Sequence, residues 1–151
     1  RGFEPVLGVI YDLNENDIYH GTLGAGSFKN NKQIEVSDTK DFFDAVLCTG
    51  FPVNHSYSKE KIIEFANNVL KYKKIRLFGS AAMSLSFLAS GKIDAYTEEN
   101  IMLWDVAAGI AIVMAAGGNV RFSQGDVKNS LFVQATNGLL PINNSLNKQT
   151  N

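Results

Sequence analysis

The segment Val106–Ala116 is almost wholly apolar, follows Asp105 and ends in Gly117–Gly118. It is too short to cross a bilayer, which takes ~20 apolar residues in a helix, so it predicts a helix buried inside a layered domain. A chain of 151 residues can enclose such a helix and suggests one domain, or one and a fragment. With 14 Lys+Arg against 15 Asp+Glu, the net charge is −1. That balance argues against a nucleic-acid surface, which needs clustered cations, and no stretch is long enough for a membrane span. No basic-then-apolar leader opens the chain, so no secretory signal is expected. The single cysteine, Cys48, excludes an internal disulfide and fits a reducing compartment, with cytoplasm as the expected location.

The chain changes texture near Asp38. Before it, Pro5–Asp12 and Ile18–Leu23 flank the turn-forming run Asn14–Asp17, and Ser27–Lys29 and Gln33–Val36 flank Asn30–Lys32. These pairs predict two antiparallel hairpins. Gly24-Ala25-Gly26 between them reads as a kinked or bulged strand ahead of a phosphate-cradling loop. After Asp38, strand-like runs Ala45–Thr49, Ile75–Phe78, Ile93–Thr97, Val120–Ser123 and Leu131–Ala135 alternate with helical patterns over Ser56–Lys74, Ala81–Ser90 and Val106–Ala116. Such alternation predicts an α/β layered sheet, paired in parallel, with helices on both faces. The division expected is 1–40 for the hairpin strands and 41–151 for the α/β part.

Ser80 and Asp105 each precede a helix and read as N-caps, with glycines at the far ends. Each helix start follows a strand, where open α/β sheets seat their ligands. Gly79-Ser80-Ala81-Ala82 has no bulky side chain to hold an anion away from the helix amides. Second to the cap, Asp105 reads as a carboxylate facing a divalent cation, and Glu98 and Glu99 in the connection just before it would add to an oxygen-rich corner. Trp104 reads as a core residue ahead of a shield over the site, Asp94 as a structural residue and Cys48 as an inert one. His20 and His55 have no ligand partners at zinc spacing. Nucleophilic and redox catalysis lack support.

Taken in order, Gly8-Val9-Ile10-Tyr11, Gly24-Ala25-Gly26-Ser27-Phe28, Gly79-Ser80-Ala81-Ala82 and Trp104-Asp105-Val106-Ala107-Ala108-Gly109 through Gly117-Gly118 resemble the inositol monophosphatase family. The resemblance runs from about Pro5 to Asn137. It implies a Mg²⁺-dependent phosphatase of small-molecule phosphate esters. Asp105 would then be the catalytic metal ligand. Gly79, Ser80 and Ala81 would line the substrate site, Glu98 would bind a substrate hydroxyl, and Arg76 would be a basic residue nearby. A homodimer is implied for the whole protein.

The family's first signature, Asp-Pro-(Ile/Leu)-Asp-Gly-Thr, and its Glu-Glu metal ligands do not occur in these residues. The resemblance therefore implies that they precede Arg1, that the hairpins end an incomplete N-terminal sheet, and that this chain is a C-terminal half, inactive alone. Ile101-Met102-Leu103 before Trp104-Asp105 differs from the Pro-Thr-Met-Glu element of the 3′(2′),5′-bisphosphate nucleotidases, which favours inositol or sugar phosphates. A 3′(2′),5′-bisphosphate nucleotidase, a fructose-1,6-bisphosphatase and a non-catalytic scaffold are the alternatives.

Overall fold

The computed structural model describes residues 4–51 and 58–142. Four strands, β1 (Leu7–Asp12), β2 (Asp17–Thr22), β3 (Gly26–Lys29) and β4 (Lys32–Ile34), form an antiparallel sheet in sequence order. Both expected hairpins are present, and a third turn joins them. Gly24-Ala25-Gly26 belongs to that turn, with Gly24 and Gly26 at φ of +81° and +92°. It is a hairpin connection rather than the bulged strand expected.

The second sheet holds β5 (Val46–Thr49), β6 (Lys74–Arg76), β7 (Ala95–Met102), β8 (Asn119–Gln124) and β9 (Ser130–Thr136) in the order β6-β5-β7-β9-β8. Parallel pairing holds for β6-β5-β7 but not beyond, since β9 runs antiparallel to both β7 and β8. The reason is connection length. The short link Gly125–Asn129 can only turn the chain back, whereas a parallel crossover takes a dozen residues or more.

Helices cover both faces of this sheet. On one side α1 (Lys59–Val69) packs Val69 and Phe65 with Leu47 and Ala95. On the other, α2 (Ala81–Ala89) and α3 (Leu103–Ala115) pack with Cys48 and Tyr96, the next residue along each strand. Alternate side chains of β5 and β7 thus enter different cores, so both strands read as continuous apolar runs. The predicted helix Ser56–Lys74 is longer than α1. Its first residues lie outside those described, and its last is already the first residue of β6.

The helix α3 lies between the two sheets, and small residues let it get there. A Cβ on Gly8 would overlap the Ala108 carbonyl, and one on Gly21 would stand 3.0 Å from Ile112 Cα. Ser27 Oγ donates to the Ile112 carbonyl at 2.6 Å, docking β3 on the same helix. A Cβ on Gly109 would come within 2.6 Å of Leu85 Cβ, so α2 and α3 meet at a glycine. Val106, Ile110, Ile112 and Val113 are fully buried in consequence.

Asp94, read as structural, is buried and ties the link after β4 to the second sheet. Its carboxylate accepts from Val46 N–H at 2.7 Å and Ser37 Oγ at 2.5 Å, while Asn137 Nδ2 donates to Ser37 Oγ and to the Thr39 carbonyl. Removing a carboxylate that satisfies a buried amide leaves that amide unpaired, at a cost of ~1–3 kcal/mol per group. Asp94→Ala should therefore lower the stability of the intact protein by about 2–4 kcal/mol, read from the urea midpoint at constant m-value.

Candidate active site

The C-terminal ends of β5 and β7 and the N-terminal ends of α2 and α3 converge on one cavity of about 410 Å³. Its lining includes Gly79, Ser80, Ala81, Glu98 and Asp105, so one wall or another carries five of the six residues named from the sequence. Arg76 is not among them. It ends β6 at the edge of the sheet, exposed, with its guanidinium donating to the Ile75 carbonyl at 3.1 Å.

The α2 start is as expected. Ser80 is extended, at φ −145° and ψ 113°, and its hydroxyl accepts from Met83 N–H at 3.3 Å, while Gly79 holds φ +71°. That cap satisfies one first-turn amide; the others have no partner within a helix and point along its axis. The segment itself, Gly79-Ser80-Ala81-Ala82, carries no bulky side chain, which leaves its backbone open to an oxyanion. Ser84, one turn on, returns its hydroxyl to the Ser80 carbonyl at 2.7 Å and receives Cys48 Sγ at 3.0 Å. Cys48 is buried, and burial raises its thiol pKa, in keeping with an inert core residue.

The α3 start differs from expectation. The strand β7 runs straight into the helix, which begins at Leu103, so Asp105 is in the first turn and is not the N-cap. Met102 occupies the cap position and makes no side-chain cap bond. Two residues explain the earlier start. Ile101 and Met102 still pair with Leu131 and Ser130 of β9 beyond a bulge, which carries the sheet up to the helix and leaves no loop. Trp104 is consequently on the outward side of the first turn, 66% exposed, and is not a core residue. Asp105 is exposed too, and among the described residues its carboxylate has no hydrogen bond or ion pair.

Glu98 and Glu99 lie in β7 itself, on opposite faces. Glu98 faces Asp105 across the cavity. Glu99 instead lines only an adjoining cavity of about 600 Å³ beside α1, which shares Thr49, Gly50, Phe51 and Glu98 with the first. Burial raises the Glu98 pKa above its ordinary value, a hydrogen bond from Tyr96 opposes that shift, and the Asp105 charge adds to it. The expected corner of three acids is thus two acids on this side and one on the other.

Thr49, Gly50, Phe51, Ser84 and Ile101 also line the site and were not named from the sequence. Thr49-Gly50 carried a usable signal, a glycine directly after the C-terminal end of a buried parallel strand, where such sheets place ligands. No grouping of three or more His, Cys, Asp or Glu able to hold a metal occurs among the described residues.

The sequence model of the Inositol monophosphatase family matches residues 2–150. The Nus factor SuhB of Xylella fastidiosa is 38% identical over 118 residues, which are 78% of this chain and 43% of that protein. The inositol-1-monophosphatase of Mesorhizobium japonicum is 31% identical over 83% of this chain and 47% of its own length. The solved inositol monophosphatase from Anabaena (Nostoc) superposes with a TM-score of 0.80 at 33% identity, covering 90% of this chain and 57% of that one. The chain therefore spans about half the length of the curated relatives it matches. With layers, motif order and sequence all in agreement, the chain belongs to the inositol monophosphatase family.

Proposed function

We propose that this chain carries the substrate-recognition half of a Mg²⁺-dependent phosphomonoesterase acting on inositol monophosphate or a related sugar phosphate. The observation that supports it best is the shared cavity. A helix start whose remaining first-turn amides are open to an oxyanion, a half-buried acid and an exposed acid unbonded among the described residues line the same space. Names borne by relatives, inositol-1-monophosphatase among them, agree with that reading.

In this reading the phosphate oxygens sit on the first-turn amides of α2, beside Ser80 and Ala81, where partial positive charge favours them. Glu98 accepts a hydrogen bond from a hydroxyl of the alcohol portion and so orients the ester. Asp105 offers a hard, unpaired carboxylate oxygen, the donor type that Mg²⁺ takes. One such donor is not a site, and the remaining ligands must come from outside the described residues. When bound, the metal lowers the pKa of a coordinated water and neutralises charge developing on the phosphate. Arg76 has no part in this assignment.

Three outcomes test it. Asp105→Asn in the intact protein should lower kcat for phosphate release by about a hundredfold or more with the fold unchanged, since a lost metal ligand is a lost transition-state contact. Circular dichroism paired with Mg²⁺-dependent phosphate release reads both. Ser80→Asp keeps a good N-cap, so stability should stay within about 0.5 kcal/mol, while the added charge at the oxyanion seat should raise KM about tenfold or more. A helix that is merely structural would leave KM where it was. Finally, the purified 151-residue chain should release no phosphate above background at any Mg²⁺ concentration, and robust turnover by it alone would refute the need for further ligands.

A further inference from the structure

The carboxyl group of Glu98 is held from two sides by residues without a role so far. Tyr96 lies two positions earlier on the same face of β7 and is only 1% exposed, its ring part of the core that includes Cys48, Leu85 and Val106. Its hydroxyl donates to Glu98 Oε2 at 2.8 Å. Opposite stands Gly50, where a Cβ would overlap both carboxyl oxygens and the carbon between them. Only a glycine lets the acid lie against the β5 backbone there. Next to it Thr49 Oγ1 donates to the Thr97 carbonyl at 2.7 Å, pinning β5 to β7 at this level.

A buried phenol needs an acceptor, and this one finds it in an acid that also borders the cavity. The rigid ring has no freedom to follow the carboxylate, so it is the carboxylate that is fixed. We propose that Tyr96 is a positioning residue for substrate recognition. Its hydroxyl occupies Oε2 of Glu98 and leaves Oε1 as the acceptor for a hydroxyl on the alcohol portion of the ester. Gly50 keeps the carboxyl from rotating away. The consequence is a preference for polyol phosphates over esters whose alcohol has no second hydroxyl. This rests on the assignment of Glu98 as the hydroxyl acceptor.

The test is steady-state phosphate release by the intact protein with Mg²⁺, from inositol 1-phosphate and from p-nitrophenyl phosphate. Tyr96→Phe should raise the KM for inositol 1-phosphate about fivefold relative to that for the aryl ester, with kcat for the former held within about twofold. In the background of Glu98→Gln the same change should add nothing, because the acid it positions has been replaced. A KM rise equal for both esters, a fall in kcat alone, or full additivity with Glu98→Gln would each overturn the proposal. Gly50→Ala supplies a second reading from the opposite side, should the phenol prove necessary for folding. It should give the same selective KM rise, and an unselective loss counts against the clamp. If Glu98→Gln itself leaves the KM ratio unaltered, the hydroxyl-acceptor assignment falls and Tyr96 with it. A wild-type protein that releases phosphate from neither ester overturns the phosphatase reading as a whole.

Discussion

The placement of α3 between two sheets is the constraint on which the rest of the molecule depends. A helix with polar residues on one side could lie on a single sheet and turn that side to water. Val106, Ile110, Ile112 and Val113 leave α3 no such side, so it must be enclosed. Enclosure brings backbones close, and Gly8, Gly21 and Gly109 are where they come closest. Ser27 adds a directional bond to Ile112, which fixes the first sheet along the helix as well as against it. With both sheets registered to α3, its N-terminus has one position relative to β5 and β7. The acid in its first turn has one position too.

The rest of the site follows from how β7 is built. The bulge between Glu98 and Ile101 takes up the register change and lets β9 keep pairing as far as Met102. Asn100, at φ +54°, holds that bulge from outside, its side-chain oxygen accepting from Asp126 N–H at 2.6 Å. Strand therefore passes into helix without a loop. A loop would let Glu98 and Asp105 drift apart; a bulged strand on a helix in a full core holds them on facing walls of the same cavity.

Much of this was readable from residue pattern. Among the described residues, residue pattern located the strands and helices, with the ends of β7 and α1 each five residues out, because buried parallel strands and an enclosed helix both leave unbroken apolar runs. Small residues at Gly79–Ala82 marked a helix start that opens onto the cavity. The errors share a cause. Asp105 as a cap, Trp104 as core and Glu98–Glu99 as loop all assumed that the helix begins where its apolar run begins. Cross-strand pairing of Ile101 and Met102 set the boundary instead, and such pairing is a long-range fact with no local signature. The antiparallel β8 and β9 were misjudged because alternation with helices lapses after Gly118, where only the short link from Gly125 to Asn129 hinted at a hairpin. Gly50 and Tyr96 escaped notice because their importance lies in what they touch.

The two acids of the cavity have environments different enough to divide their roles. Glu98 is half-buried, with one oxygen already committed to Tyr96 and its carboxyl against Gly50, and burial favours its neutral form. An acid so restrained is suited to a fixed hydrogen bond, since its geometry is set before a ligand arrives. Asp105 is exposed and unbonded, and it sits in the first turn of a helix, where the aligned peptide dipoles favour a negative charge by ~0.3–1 kcal/mol. A carboxylate used only for structure would be expected to spend its oxygens on neighbouring amides, as Asp94 does with Val46. Asp105 spends neither of its oxygens on any of the described residues.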